Sequence, residues 1–102
     1  MRASRYPLHL TALYQPVGDS DWREGTTVDI SSSGMLIEVD DPLPLGTSVE
    51  FRLVLPPVER GTPQGEIHGR GRVARLAGPP ASSHWRCAVA IEQYEFNPGD
   101  RA

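Results

Sequence analysis

Apolar and polar residues alternate with a period of two along most of this chain, and clusters of glycine, proline, serine and aspartate interrupt the alternation. Over residues 8–14, Leu8, Leu10, Ala12 and Tyr14 alternate with His9, Thr11 and Leu13, the period of a strand with one buried face. Residues 22–30 predict a second strand, with Trp22, Thr26, Val28 and Ile30 on one face and Arg23, Thr27 and Asp29 on the other. Met35, Ile37 and Val39 alternate with Leu36, Glu38 and Asp40 in a third, which pairs with the second as a hairpin. The clearest signal covers residues 47–55, where Val49, Phe51, Leu53 and Leu55 oppose Ser48, Glu50 and Arg52. A fifth strand over 66–76 faces Ile67 and Val73 inward and His68, Arg70 and Arg72 outward, weakened by Gly69 and Gly71. In the sixth, Trp85, Cys87, Val89 and Ile91 alternate with Arg86, Ala88, Ala90 and Glu92.

Between these runs lie turn-forming stretches at 16–21, 41–46, 57–65 and 78–83. Ten glycines and ten prolines in 102 residues leave no room for a long helix. A chain of this length makes one domain. Six short strands without a helix predict an all-β fold, a small antiparallel barrel or sandwich, and closure into a six-stranded barrel removes exposed edges. The expected organisation is a flexible basic arm over 1–7, ending in Pro7, a barrel over 8–96, and a frayed tail over 97–102. Tyr94 and Phe96, just before that tail, are expected to pack on the barrel.

Composition narrows the function. The net charge of −3 argues against a DNA- or RNA-binding protein, which presents a basic face to phosphates. The aromatic residues fall mostly on inward parities, which leaves few to stack on bases of a single strand. All ten cations are arginines, each a planar bidentate fork. Cys87 is the single cysteine, so neither an intrachain disulfide nor a multi-thiolate zinc cluster forms, and a reducing cytoplasmic location fits. No apolar run approaches the length of a membrane span and no secretion signal is visible. His9, His68 and His84 lack metal-ligand spacing, and no Gly-x-Ser-x-Gly nucleophile motif occurs, so the expectation is neither a metal site nor an enzyme. Arg70, Arg72 and Arg75 form a basic group that reads either as a solvated face balanced by Glu66 and Glu92 or as an extension of an anion-binding surface.

One polar elbow stands out, residues 29–34, Asp-Ile-Ser-Ser-Ser-Gly. Its bland reading is a turn, since Asp and Ser bond their own backbone and Gly permits positive φ. Asp29 and Ser31 are two apart, however, and on extended backbone face one side. A carboxylate, a hydroxyl and nearby backbone N–H groups suit a ligand with N–H donors on one edge and oxygens on another, as in guanine and a phosphodiester.

Asp29, Ser31 and Gly34 match at every specified position a motif of Asp or Asn followed by x-Ser-x-x-Gly, and Arg5 precedes the first strand as the last residue of an arginine motif does. In this order and separation the chain resembles the PilZ domain family of bacterial cyclic di-GMP receptors, over about residues 2–96. The resemblance implies a six-stranded barrel that takes the nucleotide on its outer surface, without a cofactor or catalysis, and signals to a downstream protein by ordering its arm. It implies that Arg2 and Arg5 offer forks to phosphates and to the guanine O6/N7 edge, that Asp29 accepts from guanine N–H groups, that Ser31 bonds base or phosphate, and that Gly34 lets the backbone approach. The family's arginines are three residues apart in the intervening sequence, which puts Met1 at the first position; Arg2 matches the second member of an adjacent pair. Ala88 stands where the family commonly has glycine. The alternative is a degenerate adaptor that binds a protein partner without nucleotide.

Overall fold

The computed structural model describes residues 6–56, 65–78 and 84–98. Seven strands follow in order: β1 (Tyr6–Pro7), β2 (Thr11–Pro16), β3 (Arg23–Ile30), β4 (Gly34–Val39), β5 (Ser48–Val54), β6 (Glu66–Ala77) and β7 (Trp85–Asn97). Six of them close into an antiparallel barrel in the order β3-β2-β5-β6-β7-β4, with β4 returning to β3. The two-residue β1 pairs with β3 through Tyr6 opposite Ile30 and Pro7 opposite Asp29, beyond the part that β2 occupies. The all-β barrel expected from the alternation is therefore present, and no helix occurs among the described residues.

β1 and β2 are one strand interrupted at residues 8–10, and Thr27 fills the interruption. Its hydroxyl donates to the Leu8 carbonyl and accepts the Leu10 N–H at 2.7 Å, while its own N–H donates to the Leu10 carbonyl at 2.9 Å. These bonds satisfy backbone groups that the broken ladder leaves over, and they allow a threonine to be fully buried. The face assignment expected for this strand is accordingly corrected: Thr27 points inward and Thr26 outward. The register slips between Thr27 and Asp29, so Val28 is bulged, and past it Ile30 faces inward opposite Met35 while Asp29 faces outward opposite Leu36. Trp22 is not on the buried face but 39 % exposed, with the Arg52 guanidinium 5.5 Å from its ring centre.

The core follows the expected faces elsewhere. Leu10, Ala12 and Tyr14 of the first run, Met35, Ile37 and Val39 of β4, Val49, Phe51 and Leu53 of β5, and Val73, Cys87 and Val89 are buried. Leu8, assigned to the same inward face, is 43 % exposed because it lies in the interruption. Gly69 and Gly71 do not weaken β6. A Cβ on Gly69 would stand 2.4 Å from the Phe51 ring, and one on Gly71 would stand 2.3 Å from the Ala90 carbonyl oxygen, so only glycine lets these strands approach. β7 runs past the expected end of the sixth strand to Asn97, where it opposes Glu66. Tyr94 and Phe96 are 54 % and 62 % exposed, against the expectation that they pack on the barrel.

Two buried side chains give measurable consequences. The Tyr14 hydroxyl donates to the Asp41 carbonyl at 2.8 Å and fastens the β4–β5 loop to the barrel. Burial, reinforced by Asp41, pushes its pKa up from 10.0 to about 12. The folded state favours the neutral phenol, so its contribution is full below pH 10 and is lost as pH rises from 10 towards 12. Tyr14→Phe is expected to cost about 1 kcal/mol at neutral pH in urea unfolding and to flatten the alkaline loss. Burial likewise raises the Cys87 thiol above its usual range. Iodoacetamide at neutral pH should leave native Cys87 unmodified over a time that fully alkylates the urea-unfolded chain; equal rates would place the thiol at the surface.

Candidate functional site

The elbow between β3 and β4 is held by Ser31. Its N–H donates to the Gly34 carbonyl at 2.8 Å, and its Oγ lies 3.2 Å from the Gly34 N, 3.3 Å from the Ser33 N and 3.3 Å from the Ser33 Oγ. Ser31 is buried at 7 % exposure, whereas Ser32 and Ser33 are exposed. The serine expected to meet a ligand is thus the staple of the turn, a hydroxyl bonding its own backbone. Gly34 is buried and takes no positive φ, which among the described glycines occurs at Gly18, Gly46 and Gly78. The Ile91 N–H donates to the Ser33 carbonyl at 2.9 Å and ties the elbow to β7.

Cross-strand register extends the elbow into a surface. Opposed residues of adjacent antiparallel strands share a face. Asp29 opposes Leu36, Leu36 opposes Ala88, and Ala88 opposes Arg75, so these four form one row over β3, β4, β7 and β6. The next row holds Gly34, Ala90 and Arg72. Arg75 reaches this outer face because the register slips between Val73 and Arg75, leaving Ala74 bulged. With strands about 4.8 Å apart, the row from Asp29 to Arg75 spans about 14 Å. A carboxylate stands at one end and two arginines at the other, and between them lie the half-buried Leu36 and the small residues Gly34, Ala88 and Ala90. Arg72 approaches Glu92 at 3.7 Å, both side chains more than half exposed, and Arg75 has no ion-pair partner among the described residues.

Asp29, Ser31 and Gly34 thus lie together as the sequence expects, Asp29 half-buried on the outer face. Arg2 and Arg5 lie outside the described residues; the described chain begins at Tyr6, opposite Ile30 and one residue short of Ser31. The sequence placed Arg72 outward and grouped it with Arg70 and Arg75 as a solvated face or an extension of an anion-binding surface. Nothing in a single strand's pattern says that a bulge turns Arg75 to the same face, towards the elbow.

The barrel interior offers no alternative. Beneath Tyr14, Met35, Leu43 and Val89 it leaves about 10 Å³, too little for even one water to sit comfortably. A groove of about 570 Å³ lies on the outside of β5, β6 and β7, lined by Trp22, Glu50, Arg52, His68, Arg70 and Glu95, and includes no residue of the elbow. Two of its cations are already engaged: Arg52 donates to Glu66 through Nε and Nη2 at 2.9 and 3.0 Å, and His68 bonds the same carboxylate at 2.7 Å. The His68 bond, and Arg52 after it, hold Glu66 below the usual carboxylate range. No group of three or more His, Cys, Asp or Glu side chains able to hold a metal occurs among the described residues.

Comparison with known proteins bears on the family and the fold. No curated protein matches the chain by sequence. The solved structure of the Bacillus subtilis inhibitor of motility, MotI/DgrA, is similar in fold, with a TM-score of 0.73 and 21 % identity over 93 % of this chain and 44 % of that one. The chain therefore spans less than half the length of that protein. The sequence profile of the PilZ domain matches residues 1–98, nearly the entire chain, and the chain belongs to the PilZ domain family.

Proposed function

We propose that this chain is a cyclic di-GMP receptor domain without catalytic activity, which holds the nucleotide on the shelf outside β3, β4, β7 and β6 and regulates a protein partner. The observation that carries this reading is the row from Asp29 across Leu36 and Ala88 to Arg75, with Arg72 beside it. A guanine edge offers N–H donors to a carboxylate and O6/N7 acceptors to arginine forks, and a phosphodiester takes arginine as well. In this reading Asp29 accepts from the base, Arg2 and Arg5 close over the nucleotide from the N-terminal segment, and Arg72 and Arg75 meet the phosphates. Ser31 and Gly34 act by shaping the elbow rather than through a committed ligand contact. That MotI/DgrA carries the name of a motility inhibitor fits regulation of another protein rather than catalysis. A cytoplasmic site of action fits a ligand of this class; no helix among the described residues is long and apolar enough to cross a membrane.

The spacing of Arg2 and Arg5 favours keeping the adaptor as a second reading, because a fork missing from the arm weakens the nucleotide's hold. One charge-assisted bidentate contact is worth about 1.5–3 kcal/mol, roughly 10- to 100-fold in affinity.

Calorimetric titration with cyclic di-GMP separates the two. Binding is expected, with Arg5→Ala abolishing it at unchanged unfolding midpoint and Asp29→Ala weakening it 10- to 100-fold or more. Arg75→Ala should weaken binding and reduce its salt dependence, because Arg75 is offered as a phosphate contact. Ser31→Ala is expected to lower stability by about 1 kcal/mol as well as affinity, since it loosens the elbow. If the intact chain gives no heat at high micromolar nucleotide while a partner is still captured by Asp29→Ala, the adaptor is the function.

A further inference from the structure

β7 is longer than the strand it pairs with on one side. β4 opposes it from Val39 with Trp85 to Gly34 with Ala90, and among the described residues the Ile91–Ser33 bond is the last backbone bond on that edge. On the other edge β6 continues to Asn97. Among the described strands, residues 92–97 of β7 are therefore paired on one side only, a stretch about 20 Å long. Past the slip at Glu92, Gln93 to Asn97 oppose Arg70 to Glu66 one for one, so this edge is regular.

Its two faces differ in chemistry. Gly69 faces Phe51, and Ile67 packs on the core, so Tyr94 and Phe96, which oppose them, lie on the core-side face. Both are more than half exposed, and the Phe96 ring borders Gly65. Glu95 opposes His68 on the outer face. Glu92 and Glu95 are the charged residues of this stretch, and no cation lies within it. Natural edges are blunted by lysine, proline or short length; this one has neither lysine nor proline and keeps two large apolar side chains beside a free ladder.

We propose that residues 92–97 of β7 are a docking edge that takes an extended partner segment of alternating apolar and basic side chains as an added strand. Backbone hydrogen bonds to the free edge supply register, the apolar side chains cover Tyr94 and Phe96, and the basic ones meet Glu95 on the outer face. Charge selects this occupant over a second copy of the chain, since two such edges would bring acidic strands together on molecules of net charge −3. The inference deepens the partner side of the proposed function and does not depend on nucleotide.

The test uses the full chain without nucleotide and a dye-labelled synthetic peptide of about eight alternating valines and arginines, long enough to cover the edge. Fluorescence anisotropy should show saturable binding, at least about fivefold weaker to Glu95→Lys, and weaker again to an alternating valine–glutamate peptide. N-methylation of alternate peptide residues should abolish binding in one phase and spare it in the other, because one edge of the added strand pairs. Amide exchange should slow across 92–97. Phe96→Ser, at an exposed site, should lose the peptide and keep nucleotide affinity, while Asp29→Ala should keep the peptide; this separates the docking edge from the nucleotide shelf. Absent binding, equal effects of the two N-methylation phases, protection elsewhere, or a self-associated dimer with 92–97 protected would each overturn the proposal.

Discussion

A single buried hydroxyl reconciles the two halves of the first barrel strand. Thr27 meets the Leu8 carbonyl and the Leu10 N–H at the point where β1 gives way to β2, and without it both backbone groups would lose the partner that the broken ladder denies them. Because Thr27 faces inward, the bulge at Val28 is what restores Ile30 to the core and turns Asp29 to the outside. Because β1 resumes pairing after the interruption, the N-terminal chain reaches β3 beside the elbow rather than leaving the barrel earlier. The position of the candidate site is thus a consequence of how one broken ladder is satisfied.

Bulges also explain what the sequence made legible and what it did not. β4 and β5 read correctly because each is regular and half-buried, so a period of two is the entire signal. The faces of β3 did not, because the decisive event is an extra residue in a cross-strand register, and nothing in Thr-Val-Asp marks which residue is extra. Arg75 shows the same thing on β6: strict alternation from Val73 would have sent it inward, and the bulged Ala74 sends it out beside Arg72. Gly69 and Gly71 looked like weak points only because the atoms that need their hydrogens, the Phe51 ring and the Ala90 carbonyl, come from other strands. The elbow was legible both as a motif and as a turn whose serines bond their own backbone; that Ser31 rather than Ser32 or Ser33 closes it was not, since three adjacent serines read alike in sequence.

Side chains fill the inside of the barrel, and the candidate site lies on its outer face. Met35, Ile37, Phe51 and Val73 fill a lumen that a barrel of this strand number leaves just wide enough for side chains. A ligand at the proposed site meets an open face, where solvent competes for each polar contact. Such a face gains by combining a carboxylate, guanidinium groups and a floor in which Gly34, Ala88 and Ala90 flank the half-buried Leu36. Alanine at 88 keeps that floor low, though one methyl higher than glycine would.

The shelf draws on strands that meet only when the ring is complete. β3 and β4 are neighbours in sequence, and so are β6 and β7, but the seam joining these hairpins pairs Gly34 with Ala90. Contacts of such long sequence separation carry a large loop-closure cost and form late in folding. A chain with both hairpins made and the seam open has Asp29 and Arg75 but not the surface between them. Whatever occupies the shelf therefore binds the closed ring in preference to any partly folded form, and clamps the first third of the chain to the last.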